Sequence, residues 1–327
     1  METVVIPGVG LPASRIGLGT WAIGGWMWGG TDDAEAVQTV EAALQQGINL
    51  VDTAPVYGFG HSERLVGRAL QQHGGREHVI VATKAGLEWD DAGNVRRNAR
   101  PERIRHEVEA SLRRLQTDWI DIYQVHWPDP ETPLAATAEI LARLRDEGRI
   151  RAIGVSNFSP EQMDAFRQVA PLHVCQPPYN LFERGVELDV LPYCAKHGIA
   201  TLTYGALCRG LLSGRMHPGR RFEGDDLRKV DPKFHGDRFV QYLEAVAHLD
   251  HLAREHFDRR VIHVALRWLL DQPGVGVALW GARRAQQLEP LAAVDGWHLD
   301  AATQDAIDEI LDTCITDAVG PEFMAPP

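Results

Sequence analysis

Val79–Ala85 (VIVATKA), Arg103–Leu115 (RIRHEVEASLRRL) and Trp119–His126 (WIDIYQVH) read in order as strand, helix and strand. The two outer runs are nearly continuous in apolar and β-branched residues, the pattern of parallel strands buried on both faces. The middle run is amphipathic and opens at Arg100-Pro101-Glu102, with proline in the first helical turn. Both strands end in a polar group, Lys84 in one and His126 in the other.

The same unit recurs on either side. RIGLGTW (15–21), INLVDTA (48–54), IRAIGVSN (150–157), LHVCQPP (172–178), IATLTYG (199–205) and VGVALWG (275–281) are further strand runs. Thr31-Asp32-Asp33 opens the helical stretch AEAVQTVEAALQQG, which stops at Gly47, and Ser159-Pro160-Glu161 opens EQMDAFRQVA. Eight strands alternating with helices over 327 residues predict a closed (β/α)8 TIM barrel of the α/β class. No linker-like composition break divides the chain, so residues 1–327 read as one domain. Glu2–Ser14 (ETVVIPGVGLPAS) is expected to form a hairpin plugging the barrel bottom. The polar stretch 214–238 reads as a long loop covering the site, and 300–315 as an extra C-terminal helix.

Composition narrows the function. A net charge of -12 argues against nucleic acid or an anionic membrane as partner, although local arginines can still hold a small anion. Apolar runs such as VGVALW are too short to span a bilayer, and METVVIPGVG does not read as a signal peptide. Cys175, Cys194, Cys208 and Cys314 form no CxxC, consistent with reduced thiols in the cytoplasm. Nothing in the sequence specifies an oligomeric state.

Barrel active sites lie at the carboxyl ends of the strands. Those ends present Asp52, Lys84, His126, Asn157, Gln176, Tyr204 and Gly281, with Tyr57 in the loop just beyond Asp52. Asp52, Lys84, His126 and Tyr57 suit acid–base work on a carbonyl. A tyrosine is a poor proton donor near neutrality, an adjacent ammonium is expected to lower its pKa, and Asp52 would hold that lysine. The plainer alternative is a buried Asp–Lys pair closing adjacent strands, a weak account of four such residues on successive ends. Ser156-Asn157, Gln176 and Tyr204 supply amides and an aromatic face for a carboxamide and a flat ring, or else cap the barrel mouth. GARRAQQLE (281–289) sets two arginines at a strand–helix turn, suited to a phosphate. Trp21, Trp26, Trp28 and Trp127 cluster near the predicted mouth, as pocket lining or as packing.

Other chemistries fit less well. GLGTWA (17–22) matches a dinucleotide fingerprint, but no helix opens there and Asp52 lies 33 positions past Gly19. His248, His251 and His256 share a helix with no HExxH, and no GxSxG elbow occurs, so no metal is expected.

DTAPVYGFGHSE (52–63), VIVATKAG (79–86), YQVHWPDP (123–130), IGVSNFS (153–159), QPPYN (176–180) and TLTYGALCRGLLSGR (201–215) resemble the aldo-keto reductases, in that family's order, from Arg15 to Pro327. The likeness is strongest to bacterial general-stress members and polyol-oxidising relatives. It implies a catalytic tetrad of Asp52, Tyr57, Lys84 and His126, with Tyr57 as proton donor to a small carbonyl or alcohol substrate. It implies NADP(H) held by Gly19, Thr20, Trp21, Asp52, Ser156, Asn157, Gln176, Tyr204, Gly205, Leu207, Arg209, Gly210, Gly281, Ala282, Arg283 and Gln287. In that reading Arg283 meets the 2′-phosphate and Trp21, Tyr57, His126 and Trp127 line the substrate pocket. Pro290 and Leu291 replace the family's acidic–asparagine pair beside the adenine. A second reading is a redox-sensing, cofactor-binding subunit with slow turnover, like the potassium-channel subunits that resemble this family.

Overall fold

The computed structural model describes residues 1–327. The chain begins with an antiparallel hairpin, β1 (Thr3–Val5) and β2 (Pro12–Ser14). It continues with β3 (Ile16–Gly19), α1 (Asp33–Gln45), β4 (Leu50–Asp52), α2 (His61–His73) and β5 (Ile80–Ala85). A second hairpin follows, β6 (Leu87–Trp89) and β7 (Val95–Arg97). Next come α3 (Pro101–Leu115), β8 (Ile120–Val125), α4 (Leu134–Asp146), β9 (Ile150–Ser156), α5 (Pro160–Arg167) and β10 (Val174–Gln176). The chain then runs through α6 (Val190–His197), β11 (Ala200–Thr203), α7 (Gly236–Phe257), α8 (Val261–Asp271), β12 (Val277–Gly281) and α9 (Ala301–Cys314).

Eight strands close in the order β3-β4-β5-β8-β9-β10-β11-β12, with β12 paired back onto β3. All eight contacts are parallel, as buried βαβ units demand. Helix starts follow the predicted signals. Asp32 accepts a hydrogen bond from the Glu35 amide, Pro101 opens α3, and Ser159 forms a reciprocal capping box with Gln162.

The strand alternation builds two cores. One face of the sheet packs against the helices in a large apolar cluster that includes Val51, Val81, Tyr123 and Ile153. The other face points into the barrel, where Leu50, Ile80, Ala82, Ile122, Val174 and Leu202 meet Ile6, Val9 and Ala13 of the first hairpin. Two residues further along the same inward face stand Asp52, Lys84, Gln124, Gln176 and Tyr204. The barrel is therefore apolar below and polar at its carboxyl end.

Two parts of the fold differ from expectation. The β6–β7 hairpin has no counterpart in the predicted elements, because WDDAGNVRRN carries no apolar alternation. Asp90 makes its turn by accepting from the Ala92 and Asn94 amides. The stretch 214–238 is ordered into short turns at Leu227–Lys229 and Pro232–Phe234, and its last residues already belong to α7. The hairpin plug and the C-terminal helix α9 form as expected. No helix is long and apolar enough to cross a membrane.

Candidate active site

Adjacent strands bring Asp52 and Lys84 together at the top of the barrel. The Lys84 ammonium donates to Asp52 Oδ2 at 2.7 Å, to the Thr53 carbonyl at 3.0 Å and to the Tyr57 hydroxyl at 3.3 Å. Lys84 is 0% exposed, so its charge is held by these contacts and not by water. The other Asp52 oxygen accepts from Gln176 Nε2 at 2.8 Å and Gln124 Nε2 at 3.3 Å. Gln124 was missed by taking strand ends alone; its place on the inward face, between Ile122 and His126, is the signal that identifies it. Behind this group, buried Glu107 accepts the Gly86 amide at 2.8 Å and an Arg103 N–H at 2.9 Å, fixing the end of β5.

Tyr57 lies on the turn after β4, which Gly24 and Gly58 make possible. Gly58 has φ +64°, and a Cβ at Gly24 would sit 2.7 Å from the Tyr57 backbone. The His126 ring meets the Tyr57 ring edge-on at 5.8 Å, and Trp21 stacks on its other side at 5.9 Å. Burial, and then the Asp52 charge, push the Tyr57 hydroxyl well above its ordinary pKa. This corrects the expected lowering. Lys84 is already neutralised by Asp52 at the shorter distance, so removal from water dominates and the tyrosine keeps its proton. Burial also lowers the Lys84 pKa, against the pull of Asp52. Burial and then the Lys84 charge drive His126 well below the usual histidine range, leaving a neutral imidazole.

The second predicted group laces the mouth. Tyr204 OH donates to Asn157 Oδ1 at 2.9 Å, Asn157 Nδ2 donates to the His126 carbonyl at 3.0 Å, and Ser156 Oγ donates to the Gln176 carbonyl at 2.9 Å. Asn157 reaches these partners from a left-handed backbone, φ +62°.

A cleft of about 490 Å3 opens over this floor. Gly19, Thr20, Trp21, Asp52, Tyr57 and Tyr204 line its inner end, with Trp28 beside them. Gly205, Leu207, Arg209, Gly210, Gly281, Arg283 and Gln287 line the rest. Lys84 lies beneath this surface, and His126, Ser156, Asn157, Gln176 and Ala282 stand outside the wall. Trp127 is also apart, packed against Ala54, Val56 and Leu87, with the Arg97 guanidinium 5.4 Å above its ring. The Arg209 guanidinium is committed to Asp231 and Glu183, and Lys233 shares Glu183. Arg283 donates to the carbonyls of Trp28 and Gly30, while the Gln287 side chain accepts the Arg283 and Arg284 amides.

These residues fit a nicotinamide dinucleotide. The inner end offers the flat aromatic surface of Trp21, Tyr57 and Tyr204. The outer end gathers Arg215, Arg220, Arg260, Arg283 and Arg284 in a chain whose net charge is -12, suiting a ligand that carries several phosphates. Gly210 holds a left-handed backbone, φ +96°, that glycine adopts without strain.

A closed parallel barrel with an Asp–Lys–Tyr chain at the carboxyl ends of its strands defines a barrel oxidoreductase acting on carbonyls and alcohols. The chain belongs to the aldo/keto reductase family, whose model matches residues 15–312. It is 59% identical over 327 residues to the aldo-keto reductase YhdN of Bacillus subtilis (strain 168), covering 100% of this chain and 98% of that protein. It is 36% identical over 310 residues to the NADH-specific methylglyoxal reductase of Escherichia coli (strain K12), covering 90% and 94%. The solved glycerol dehydrogenase AKR11B4 from Gluconobacter oxydans superposes with a TM-score of 0.90 at 53% identity, covering 99% of each chain.

Proposed function

We propose that this protein is a cytoplasmic, NADP(H)-dependent oxidoreductase that interconverts small aldehydes or ketones and alcohols, polyols included, with Tyr57 as general acid and base. The carrying observation is the chain Asp52–Lys84–Tyr57, whose hydroxyl faces the floor of a cleft that also presents the Tyr204 ring. When bound, the nicotinamide supplies or accepts the hydride at its C4.

The protein's own groups do the rest. Tyr57, protonated at neutral pH, donates its proton to the carbonyl oxygen, and Lys84 stabilises the phenolate that remains. Asp52 keeps Lys84 charged and in place, and Gln124 and Gln176 keep Asp52 in place. His126, neutral, hydrogen-bonds the carbonyl without competing for the proton. In the reverse direction Tyr57 takes the proton of the alcohol. Ser156, Asn157 and Gln176 would hold the carboxamide, Tyr204 would stack on the ring, and Gly205, Leu207 and Gly210 would follow the pyrophosphate. Arg283 would meet the 2′-phosphate, with its present backbone contacts leaving other N–H groups free. Arg209 contributes through its backbone, because its guanidinium is taken. The four free cysteines agree with a reducing compartment.

Fluorescence titration with NADPH and, separately, NADH tests this reading. Tight NADPH with much weaker NADH is the expected result. Equal affinities would remove the Arg283 assignment, and binding of neither would overturn the function.

A further inference from the structure

Three hydroxyls adjoin the Asp52–Lys84 pair, on Thr20, Thr53 and Ser62, and each of these residues is 0% exposed. A hydroxyl has one proton to give, so the direction of their hydrogen bonds can be worked out. Thr20 gives its proton to the Asp52 carbonyl at 2.9 Å. Ser62 gives its proton to Thr20, whose hydroxyl lies at 2.8 Å and whose carbonyl lies at 3.1 Å. Thr53, 3.0 Å from the Ser62 oxygen, is left as the donor in that contact. The order is therefore Thr53 to Ser62 to Thr20 to the Asp52 carbonyl. Aligned in a dry interior, such bonds strengthen one another. The chain ends on a carbonyl, which has no proton to pass on, so it holds atoms in place and does not conduct protons.

Ser62 also grips the other side of the site. It is the second residue of α2, and its amide, one of those that a helix start leaves free, donates to the Tyr57 carbonyl at 3.1 Å. Thr20 follows β3 and Thr53 follows β4, and the Thr53 carbonyl is itself an acceptor of the Lys84 ammonium at 3.0 Å. The next residue, Glu63, is equally buried and accepts the Thr83 hydroxyl at 2.7 Å, one position before Lys84 on β5. Ser62-Glu63 thus ties the turn that carries Tyr57 to the ends of the three strands beneath it. The Lys84–Tyr57 contact, at 3.3 Å, is the longest that the lysine makes and the first to be lost if that turn drifts.

Packing alone does not call for these hydroxyls, since alanine and valine fill nearly the same space with no donor to satisfy. We propose that Ser62 is a positioning residue for the reaction, its hydroxyl setting the distance at which Tyr57 meets Lys84 through the chain Thr53–Ser62–Thr20. Ser62 and Thr53 have no face on the cleft, so neither touches substrate or cofactor. This rests on the carbonyl-reduction reading above.

The test is the rate of NADPH oxidation in a single turnover with saturating 4-nitrobenzaldehyde, which separates hydride transfer from ligand release. Ser62→Ala should slow that step about tenfold and leave the NADPH Kd within about twofold of wild type. It also strips the buried Thr53 hydroxyl of its acceptor, which lowers stability for a separate reason. Ser62→Ala with Thr53→Val removes both groups, so the urea midpoint should recover most of its loss. The rate should stay about tenfold low in that double variant, because Thr20 still lacks its donor. A Ser62→Ala rate within about twofold of wild type overturns the proposal, and so does a rate that recovers together with the urea midpoint. Thr53→Val alone shortens the chain without emptying space and should slow the step about threefold. If neither Ser62 variant folds, a wild-type rate in Thr53→Val overturns the proposal. A wild type that binds no NADPH or reduces no aldehyde would instead strike the underlying reading.

Discussion

Asp52→Asn changes almost no volume, and its consequence can be worked out atom by atom. Asp52 Oδ1 accepts from two amides, Gln176 at 2.8 Å and Gln124 at 3.3 Å, so an asparagine must turn its carbonyl oxygen to them. Its NH2 group then faces the Lys84 ammonium across the 2.7 Å position that the carboxylate oxygen held. At that distance the lost attraction is about 6 kcal/mol for an effective permittivity near 20. The lysine limits this loss by giving up its proton, and deleting one member of a buried ion pair typically costs about 3–5 kcal/mol. A neutral amine no longer supports the Tyr57 phenolate, so kcat/KM for carbonyl reduction should fall about 10²- to 10³-fold.

The pH dependence carries the sharper signature. An unfolded lysine holds its proton to about pH 10.4, whereas burial lowers the Lys84 value in the folded protein. Between those values the unfolded chain binds more protons, so stability rises with pH. Asp52→Asn lowers the folded value further and extends that rise to lower pH. The deficit of the variant should therefore shrink by about 1.4 kcal/mol for each pH unit in which its lysine is neutral and the wild-type lysine is still charged. Urea unfolding of both proteins at intervals from pH 7 to 10 measures this. A deficit below about 1 kcal/mol at pH 7, or one that stays constant with pH, would refute the reasoning.

Tyr57→Phe should leave NADPH affinity within about twofold of wild type while lowering turnover about 10³-fold; unchanged turnover would remove Tyr57 from the chemistry. Gln124→Leu withdraws one amide from Asp52 and should lower kcat about three- to tenfold without changing the NADPH Kd, measured by steady-state kinetics and fluorescence titration. Arg283→Ala should weaken NADPH about 10- to 100-fold and NADH far less, as the loss of a charge-assisted contact to the 2′-phosphate requires. Burial pushes the Glu107 carboxyl up to about 7. The folded protein then binds more protons than the unfolded one from about pH 4.3 upward, and this contribution to stability is lost as pH rises through 7. Glu107→Gln should flatten the fall in urea midpoint between about pH 5 and 7; an unaltered slope counts against the assignment.

The barrel is legible in the sequence because its strands are short apolar runs that all end in polar residues. INLVDTA and VIVATKA display both the wall and the chemistry: Leu50 and Ala82 belong to the dry interior, and Asp52 and Lys84 to the site above it. Helix starts are equally plain, since Asp32 and Ser159 act locally. What stayed hidden depends on partners distant in the chain. Asp225 holding the Met27 and Gly29 amides, or Arg283 holding the Trp28 carbonyl, has no local signature. Gln124 sits inside an apolar run two residues before His126, so strand alternation places it on the inward face, but its contact with Asp52 on a distant strand has no local signature. The direction of the Tyr57 shift depends on depth below the surface, which residue types do not encode.

The hairpin plug has a consequence for how protons travel. Ile6, Val9 and Ala13 seal the barrel beneath an apolar layer from Leu50 to Val277, so no hydrated path leads upward to Lys84 or Tyr57. In the proposed chemistry, every proton that Tyr57 gives away must be restored through the mouth. Each carbonyl reduction so proposed takes up one proton from solvent, and the supply of that proton is tied to the same end of the barrel through which ligands enter the cleft.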